Sequence, residues 1–364
     1  MAVDALKQGV FLPPRPLRNA HLQSILGSVP PRSWMIRRRA AALLSCAQPL
    51  LLDCGDGVRL QAFYSPLPQG RRAADSRRLA VLLHGWEGSA ESPYVLSAAA
   101  LLYSQGFPLV RFNLRDHGAT QALNRELFHS CRLPEVVGAV RALSQQFPAA
   151  RLCLGGFSLG GNFLLRVAAD NGAPDTLAGV VAVSPVLDPE ATLQALERGL
   201  PVYRRYFVRR WSRSLRGKQR AWPDEHDFDA LLRTRDLRRM TAELVRRCTD
   251  FKSLQAYLSG YGITGDRLQN LRVPARLLLA DDDPIIPAAD LPRVAPHERL
   301  SIVRARHGGH CGFIDAWGGP SYADRYMLEQ FEQFEQFEQF EQFEQVDAVR
   351  TAAAGAARNG RARC

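Results

Sequence analysis

One stretch constrains this chain more than any other. Arg151-Leu-Cys-Leu-Gly-Gly-Phe-Ser-Leu-Gly-Gly-Asn-Phe-Leu-Leu-Arg166 reads as an apolar strand, a serine bracketed by glycines, and an apolar helix. A serine at such a corner has to project from a sharp strand-to-helix turn. Gly156 and Gly160 remove the side chains that would collide where the two backbones approach. The pentapeptide Gly-Phe-Ser-Leu-Gly also arises by chance, so its meaning depends on what the rest of the chain places beside Ser158.

The surrounding pattern is one of short continuous apolar runs separated by helical lengths. The runs are Leu79 to Leu83, Pro108 to Phe112, Leu152 to Leu154, Ala178 to Val183, Ala275 to Ala280 and Leu300 to Val303, with helix-like stretches at Tyr94 to Ser104, Pro134 to Gln146 and Asn162 to Ala169. Runs without alternation are expected of strands buried on both faces, and their succession predicts a doubly wound, mostly parallel α/β sheet. Two earlier strands, Pro49 to Asp53 and Val58 to Tyr64, flank Cys54-Gly-Asp-Gly57 and read as an antiparallel hairpin at the start of that sheet.

The expected organisation follows. Residues 1–44, rich in proline and arginine, form an arm packing on the core. Residues 45–187 and 271–327 form the two parts of the core, and 188–270 an inserted helical lid. Residues 328–364 are a helix extension with a Phe-Glu-Gln repeat and a disordered tail from Thr351. Phenylalanines three apart (Phe331, Phe334, Phe337, Phe340, Phe343) drift about 60° around a helix per repeat, so only the first one or two can dock together.

The 364 residues carry a formal net charge of +11, which suits an anionic partner; much of it lies in the lid, where Tyr203 to Arg220 interleaves arginine with aromatic residues. Rings and aliphatic stems of that kind bury while the charges reach outward. Peripheral contact with an anionic membrane surface is one expectation, and a solvated helix face whose aromatics pack on the domain below is the other. Nucleic acid is not expected. The seven cysteines are odd in number and scattered, without Cys-x-x-Cys spacing, which points away from a disulfide framework and towards a reducing, cytoplasmic setting. The longest apolar run, Ala40 to Leu52, is interrupted and too short to span a bilayer, and the first residues lack the layout of a signal peptide.

A nucleophilic serine needs a base, an acid to orient that base, and backbone donors for the oxyanion of acyl transfer. Each has a candidate. Asp281-Asp-Asp-Pro284 follows the strand at Ala275 to Ala280, and His307-Gly-Gly-His-Cys-Gly-Phe313 follows the strand at Leu300 to Val303. In an open α/β sheet both loops emerge at the edge that carries Ser158. Asp283 is favoured as the acid, with Asp282 its rival. His310 is favoured over His307 as the base, because flanking glycines let it reach inward. The same pair forms His-x-x-His, but it lacks the acidic helical context of a zinc motif. The oxyanion donors are expected from the amides of Leu159 and of Trp86 in His84-Gly-Trp-Glu-Gly88. His84 and His117 read as hydrogen-bonding supports at strand ends. No metal or organic cofactor is required.

Taken together, these motifs resemble the alpha/beta-hydrolase superfamily, and within it the YheT/EMB8-like branch of hydrolases and lipid-cleaving esterases. The resemblance rests on Arg18-Asn-Ala-His-Leu-Gln-Ser-Ile-Leu26, His84-Gly-Trp-Glu-Gly-Ser89, Asn113-Leu-Arg-Asp-His-Gly118, Gly156 to Asn162, Asp282-Asp-Pro284 and His307 to Phe313, and spans about residues 18 to 325. It implies Ser158 as nucleophile, Asp283 as acid and His310 as base, in a serine esterase acting on small, apolar ester substrates, acylglycerols among them. Acyl transfer with the same triad, or a non-catalytic membrane- or anion-binding protein on the same scaffold, are the alternatives.

Overall fold

The computed structural model describes residues 6–8, 11–68 and 77–334. In chain order the strands are β1 (Leu6–Gln8), β2 (Gln48–Asp53), β3 (Arg59–Ser65), β4 (Arg78–Leu83), β5 (Leu109–Phe112), β6 (Arg151–Phe157), β7 (Leu177–Val183), β8 (Ala275–Ala280) and β9 (Leu300–Ala305). The helices are α1 (Ala20–Leu26), α2 (Arg32–Arg39), α3 (Ala41–Ser45), α4 (Pro93–Ser104), α5 (Leu133–Gln146), α6 (Leu159–Ala168), α7 (Pro189–Arg198), α8 (Pro201–Ala221), α9 (Leu237–Cys248) and α10 (Leu254–Gly260). Residues 322–334 form a last helix, α11.

These strands make one nine-stranded sheet in the order β1-β9-β8-β7-β6-β4-β5-β3-β2. Only the β2–β3 and β3–β5 pairs are antiparallel; the rest run parallel. The α/β reading of the sequence therefore holds, with its hairpin at one end of the sheet. The apolar runs are continuous because both faces are covered. Along β4, Leu79, Val81 and Leu83 join the cluster under α5, α6 and the helices that follow β7, while Ala80 and Leu82 join the cluster under α2, α4 and α11.

The segment expected as an arm is more closely built in than its proline and arginine content suggests. It adds β1 as a parallel edge strand beside β9 and supplies three helices; Ile36 and Leu43 on two of them, and Ala40 between, are buried. At the other end of the described chain Phe331 and Phe334 are both fully buried, Phe331 beside Phe107 and Phe334 against the backbone of Gly179. The later phenylalanines of the repeat and the tail lie outside the described residues.

Between β7 and β8 the chain runs through α7 to α10, four helices on the edge where the parallel strands end. Side-chain oxygens start three of them: Asp188 caps α7, Asp236 caps α9 and Ser253 caps α10. None of the described helices is long and apolar enough to cross a membrane.

Candidate active site

Ser158 sits between β6 and α6 with φ 52° and ψ −123°, a conformation that costs a residue with a side chain roughly 1–3 kcal/mol. The surrounding packing holds it there. α6 approaches the end of β4 so closely that a Cβ on Gly160 would lie 2.3 Å from the His84 carbonyl oxygen. Strain of this kind is concentrated at the same edge: Glu87, Asp116, Ser158, Ser184 and Cys311 all have positive φ, each in a loop that follows a different strand.

The structure brings three of the residues singled out from sequence into one hydrogen-bonded line. His310 Nε2 lies 3.1 Å from Ser158 Oγ, and His310 Nδ1 lies 2.9 Å from Asp283 Oδ2. The Asp283 side chain is wholly buried, and its other oxygen accepts the amides of Ile285 and Ile286 at 2.8 and 2.9 Å. Those bonds hold the carboxylate in place and point it at the ring. Burial disfavours an imidazolium at His310, but the Asp283 charge, with the Cys311 thiol beside it, outweighs burial and holds the pKa of His310 well above 6.5.

Asp282 and His307 make a different pair. Asp282 Oδ2 faces His307 Nδ1 at 3.4 Å, and Oδ1 accepts the amide of Gly309 at 2.9 Å. They brace the loop that carries His310 and do not reach Ser158. Among the described residues no group of three or more His, Cys, Asp or Glu side chains is arranged to hold a metal ion.

The loop after β4 passes directly over the nucleophile. A Cβ on Gly85 would meet Ser158 Cβ at 3.0 Å and Oγ at 3.5 Å. Its amides are sorted by their neighbours. Gly85 donates to the Tyr94 hydroxyl at 3.1 Å, and Glu87 donates to His117 Nε2 at 3.1 Å. The Trp86 amide between them has no acceptor among the described residues, and neither has that of Leu159 at the start of α6. Both can turn to an oxyanion.

His84 and His117 support this loop as neutral rings. The Nδ1–H of His84 donates to the Gly85 carbonyl at 2.7 Å while its Nε2 accepts from Leu114, and the Nδ1–H of His117 donates to the Arg115 carbonyl at 2.7 Å. Burial pushes the His117 pKa down to about 4 and that of His84 well below 6.5, which keeps each Nε2 free to accept. α8 clamps the loop from above. Arg210 donates to the Glu87 carbonyl, Phe207 stacks on the Trp86 ring with centroids 5.1 Å apart, and Trp211 meets it edge-on at 5.2 Å.

A cavity of about 100 Å³ opens from Ser158, walled by Trp86, Leu193, Phe207, Trp211, Leu244 and Tyr257 among others. The helices that follow β7 supply most of this wall. Tyr257 lies in it fully buried, its hydroxyl accepting the amide of Ser130 at 3.1 Å.

A model of the alpha/beta hydrolase fold matches residues 80–316, the span that holds all three residues of the line. The chain belongs to the alpha/beta hydrolase fold family. Among curated proteins it is 28% identical over 333 residues to the putative esterase YheT of Escherichia coli, covering 88% of this chain and 90% of that one. It is 22% identical over 305 residues to a monoacylglycerol lipase of Saccharomyces cerevisiae, covering 80% and 67%. It is also 23% identical over 333 residues to the embryogenesis-associated protein EMB8 of Picea glauca, covering 85% and 69%. These relatives match the branch expected from the motifs. Among solved structures, an esterase of Pyrococcus furiosus, Pf2001, superposes with a TM-score of 0.51 at 14% identity, covering 90% of this chain and 98% of that one, a likeness of fold.

Two residues that hold the His310 loop escaped the reading of the sequence. Gln23 and Ser24 on α1 touch the His310 loop: Ser24 Oγ accepts the His310 amide at 2.8 Å, and Gln23 exchanges hydrogen bonds with Ile314. Both fall in the stretch Arg18 to Leu26, which carried the resemblance but showed no chemistry of its own.

Proposed function

We propose that the protein is a serine hydrolase that cleaves carboxylic esters with an apolar acyl group, acylglycerols being one fitting class. The observation that carries this is the continuous line from Ser158 through His310 to Asp283, opening on a cavity walled by aromatic and aliphatic side chains. His310 takes the proton of Ser158 as its oxygen attacks the ester carbonyl. The amides of Trp86 and Leu159 stabilise the oxyanion. The alcohol leaves with the proton from His310, and a water activated by the same ring then hydrolyses the acyl-enzyme. The names of the relatives, a putative esterase and a monoacylglycerol lipase, support the same reaction class.

The helices α7 to α10 act as the cover of the site in this reading. Pockets that hold small molecules usually measure about 300–1,000 Å³. The cavity here is smaller, about 100 Å³, so a long acyl chain enters only when Phe207, Trp211 and their helix shift outward. The test is labelling with a fluorophosphonate together with turnover of short aryl esters. The wild type should label and turn over, and Ser158→Ala should do neither. Equal labelling of both proteins would overturn the assignment of the nucleophile.

A further inference from the structure

α8 has two faces with opposite chemistry. At about 100° per residue, Tyr203, Phe207, Trp211 and Lys218 share one face. That face points into the body of the protein: Phe207 and Trp211 wall the cavity, Tyr203 bonds His21 at 2.9 Å, and Lys218 is fully buried. Arg205, Arg209 and Arg216 lie on the other. They join Arg204 and Arg235 around a second cavity, about 480 Å³, between α8 and the segment leading to α9, and among the described residues no carboxylate lines it.

Local charge compensation is missing there. Between Gly199 and Pro223 the sequence has eight Lys and Arg and no Asp or Glu. Lys218 and Arg210 are engaged with the core, but those five arginines have no ion pair or hydrogen bond among the described residues. Of the carboxylates that flank this stretch, Glu190 and Glu197 hold Arg238, Glu225 pairs with Arg125, and Asp236 caps α9. Five guanidinium groups around one cavity repel each other unless an anionic surface lies across it.

A second feature selects the kind of surface. The N-terminal end of α8 exposes Leu200, Val202 and Tyr206, at 46%, 47% and 53%. The contact of His21 with Tyr203 sets α1 beside this end, and α1 exposes Leu22. An apolar tip flanked by arginines matches the headgroup and acyl boundary of a bilayer. A groove for single-stranded nucleic acid calls for a row of stacking rings, whereas here the exposed residues are mainly aliphatic.

We propose that the outer face of α8 is a docking surface for an anionic lipid bilayer: Arg205, Arg209 and Arg216 meet the headgroups, and Leu200, Val202 and Tyr206 enter the interface. The same helix walls the cavity at Ser158, so docking sets the cover of that cavity against the lipid.

The test is sedimentation of the full chain, as Ser158→Ala, with vesicles of phosphatidylcholine with and without phosphatidylserine. Binding is thereby read without turnover, and failure of the hydrolase assignment leaves the result intact. The Ser158→Ala protein should bind the anionic vesicles, and Arg205→Gln/Arg209→Gln/Arg216→Gln added to it should weaken that binding about a hundredfold. Val202→Ser/Tyr206→Ser should weaken it in high salt as well, where the charges are screened. In the protein that retains Ser158, the triple arginine variant should turn over a soluble aryl ester at the unaltered rate, which shows that it is folded. Equal binding by the triple variant, or equal binding to both kinds of vesicle, would overturn the proposal. So would displacement by inorganic phosphate beyond that of chloride at equal ionic strength, which would mark a site for free phosphate, or binding to RNA but not to vesicles.

Discussion

Ser24 Oγ accepts the backbone amide of His310 at 2.8 Å, joining residues 286 positions apart and tying the first helix to the loop that carries the proposed base. Beside it Gln23 is fully buried and bonds Ile314 twice, at 2.8 Å to its carbonyl and 2.7 Å from its amide. Asn19 caps this helix by accepting the amides of His21 and Leu22. A short helix at the start of the chain thus acts as a template for a loop close to its end.

Removing that template should impair catalysis before it impairs folding. Gln23→Ala leaves the amide and carbonyl of Ile314 unpaired in a buried site, at a cost of about 1–3 kcal/mol. It also frees the His310 loop, and loss of a near-attack geometry reaches about a hundredfold in rate. The expected outcome is a fall of that order in kcat with a circular dichroism spectrum like that of the wild type. A wild-type kcat would show that the loop holds its geometry without α1.

The pH dependence follows from the His310–Asp283 pair. His310 must be neutral to accept the proton of Ser158, and its pKa is held well above 6.5 by the Asp283 charge. Activity should therefore fall with decreasing pH along an acid limb that lies above the range of an ordinary imidazole. Asp283→Asn removes the stronger raising charge and leaves burial opposed by Cys311 alone. The limb should then move to lower pH while the plateau rate drops by about 10⁴, as in triads that lose their acid. A kcat/KM profile for both proteins measures this. An acid limb that stays in place in the variant would assign the titration to another group.

Legibility in the sequence followed the length scale of the interaction. The sheet was readable because strands buried on both faces need continuous apolar runs, and β4 to β9 each announce themselves that way. Ser158, Asp283 and His310 were readable because each follows its strand directly, and the topology of the sheet carries strand ends to one edge. The choice between Asp283 and Asp282 depended on which carboxylate the Pro284 turn directs inward, something visible only once Ile285 and Ile286 donate to it. The roles of Gln23, Ser24 and Arg210 were hidden because they act through backbone groups far away in sequence, and a carbonyl or amide leaves no signature of its own. Strand β1 was hidden for a similar reason: three residues at a sheet edge show no pattern to detect.

Gly85 offers a narrow test of the loop over the nucleophile. A methyl group at this position would sit 3.0 Å from Ser158 Cβ and 3.5 Å from Oγ, so either the loop or the serine has to give way. Gly85→Ala should displace the Trp86 amide from the place where the oxyanion forms, and loss of one such donor costs about 10²–10³ in kcat. Thermal unfolding should change far less, because the contact lies at the edge of the sheet and outside either apolar cluster. An unchanged kcat would remove Trp86 from the oxyanion site and leave that role to Leu159 and other groups.

The buried pair of Lys218 and Asp116 should decide whether α8 stays on the core. Lys218 is wholly buried near the C-terminal end of α8 and meets Asp116 Oδ1 at 2.9 Å, with the carbonyls of Asn124 and Glu126 as further acceptors. Burial lowers the Lys218 pKa and raises that of Asp116, and the attraction between the two charges opposes both shifts. Lys218→Met would leave Asp116 and those carbonyls buried without their shared donor. Loss of one partner from a buried pair costs about 3–5 kcal/mol. Because the anchor lies in the cover and the carbonyls in the loop after β5, the loss should fall first on α8. The outcome expected from hydrogen exchange is faster exchange along 201–221 and 116–126, with β6 to β8 staying protected. Uniform acceleration across the sheet would mean instead that cover and core unfold as a single cooperative unit.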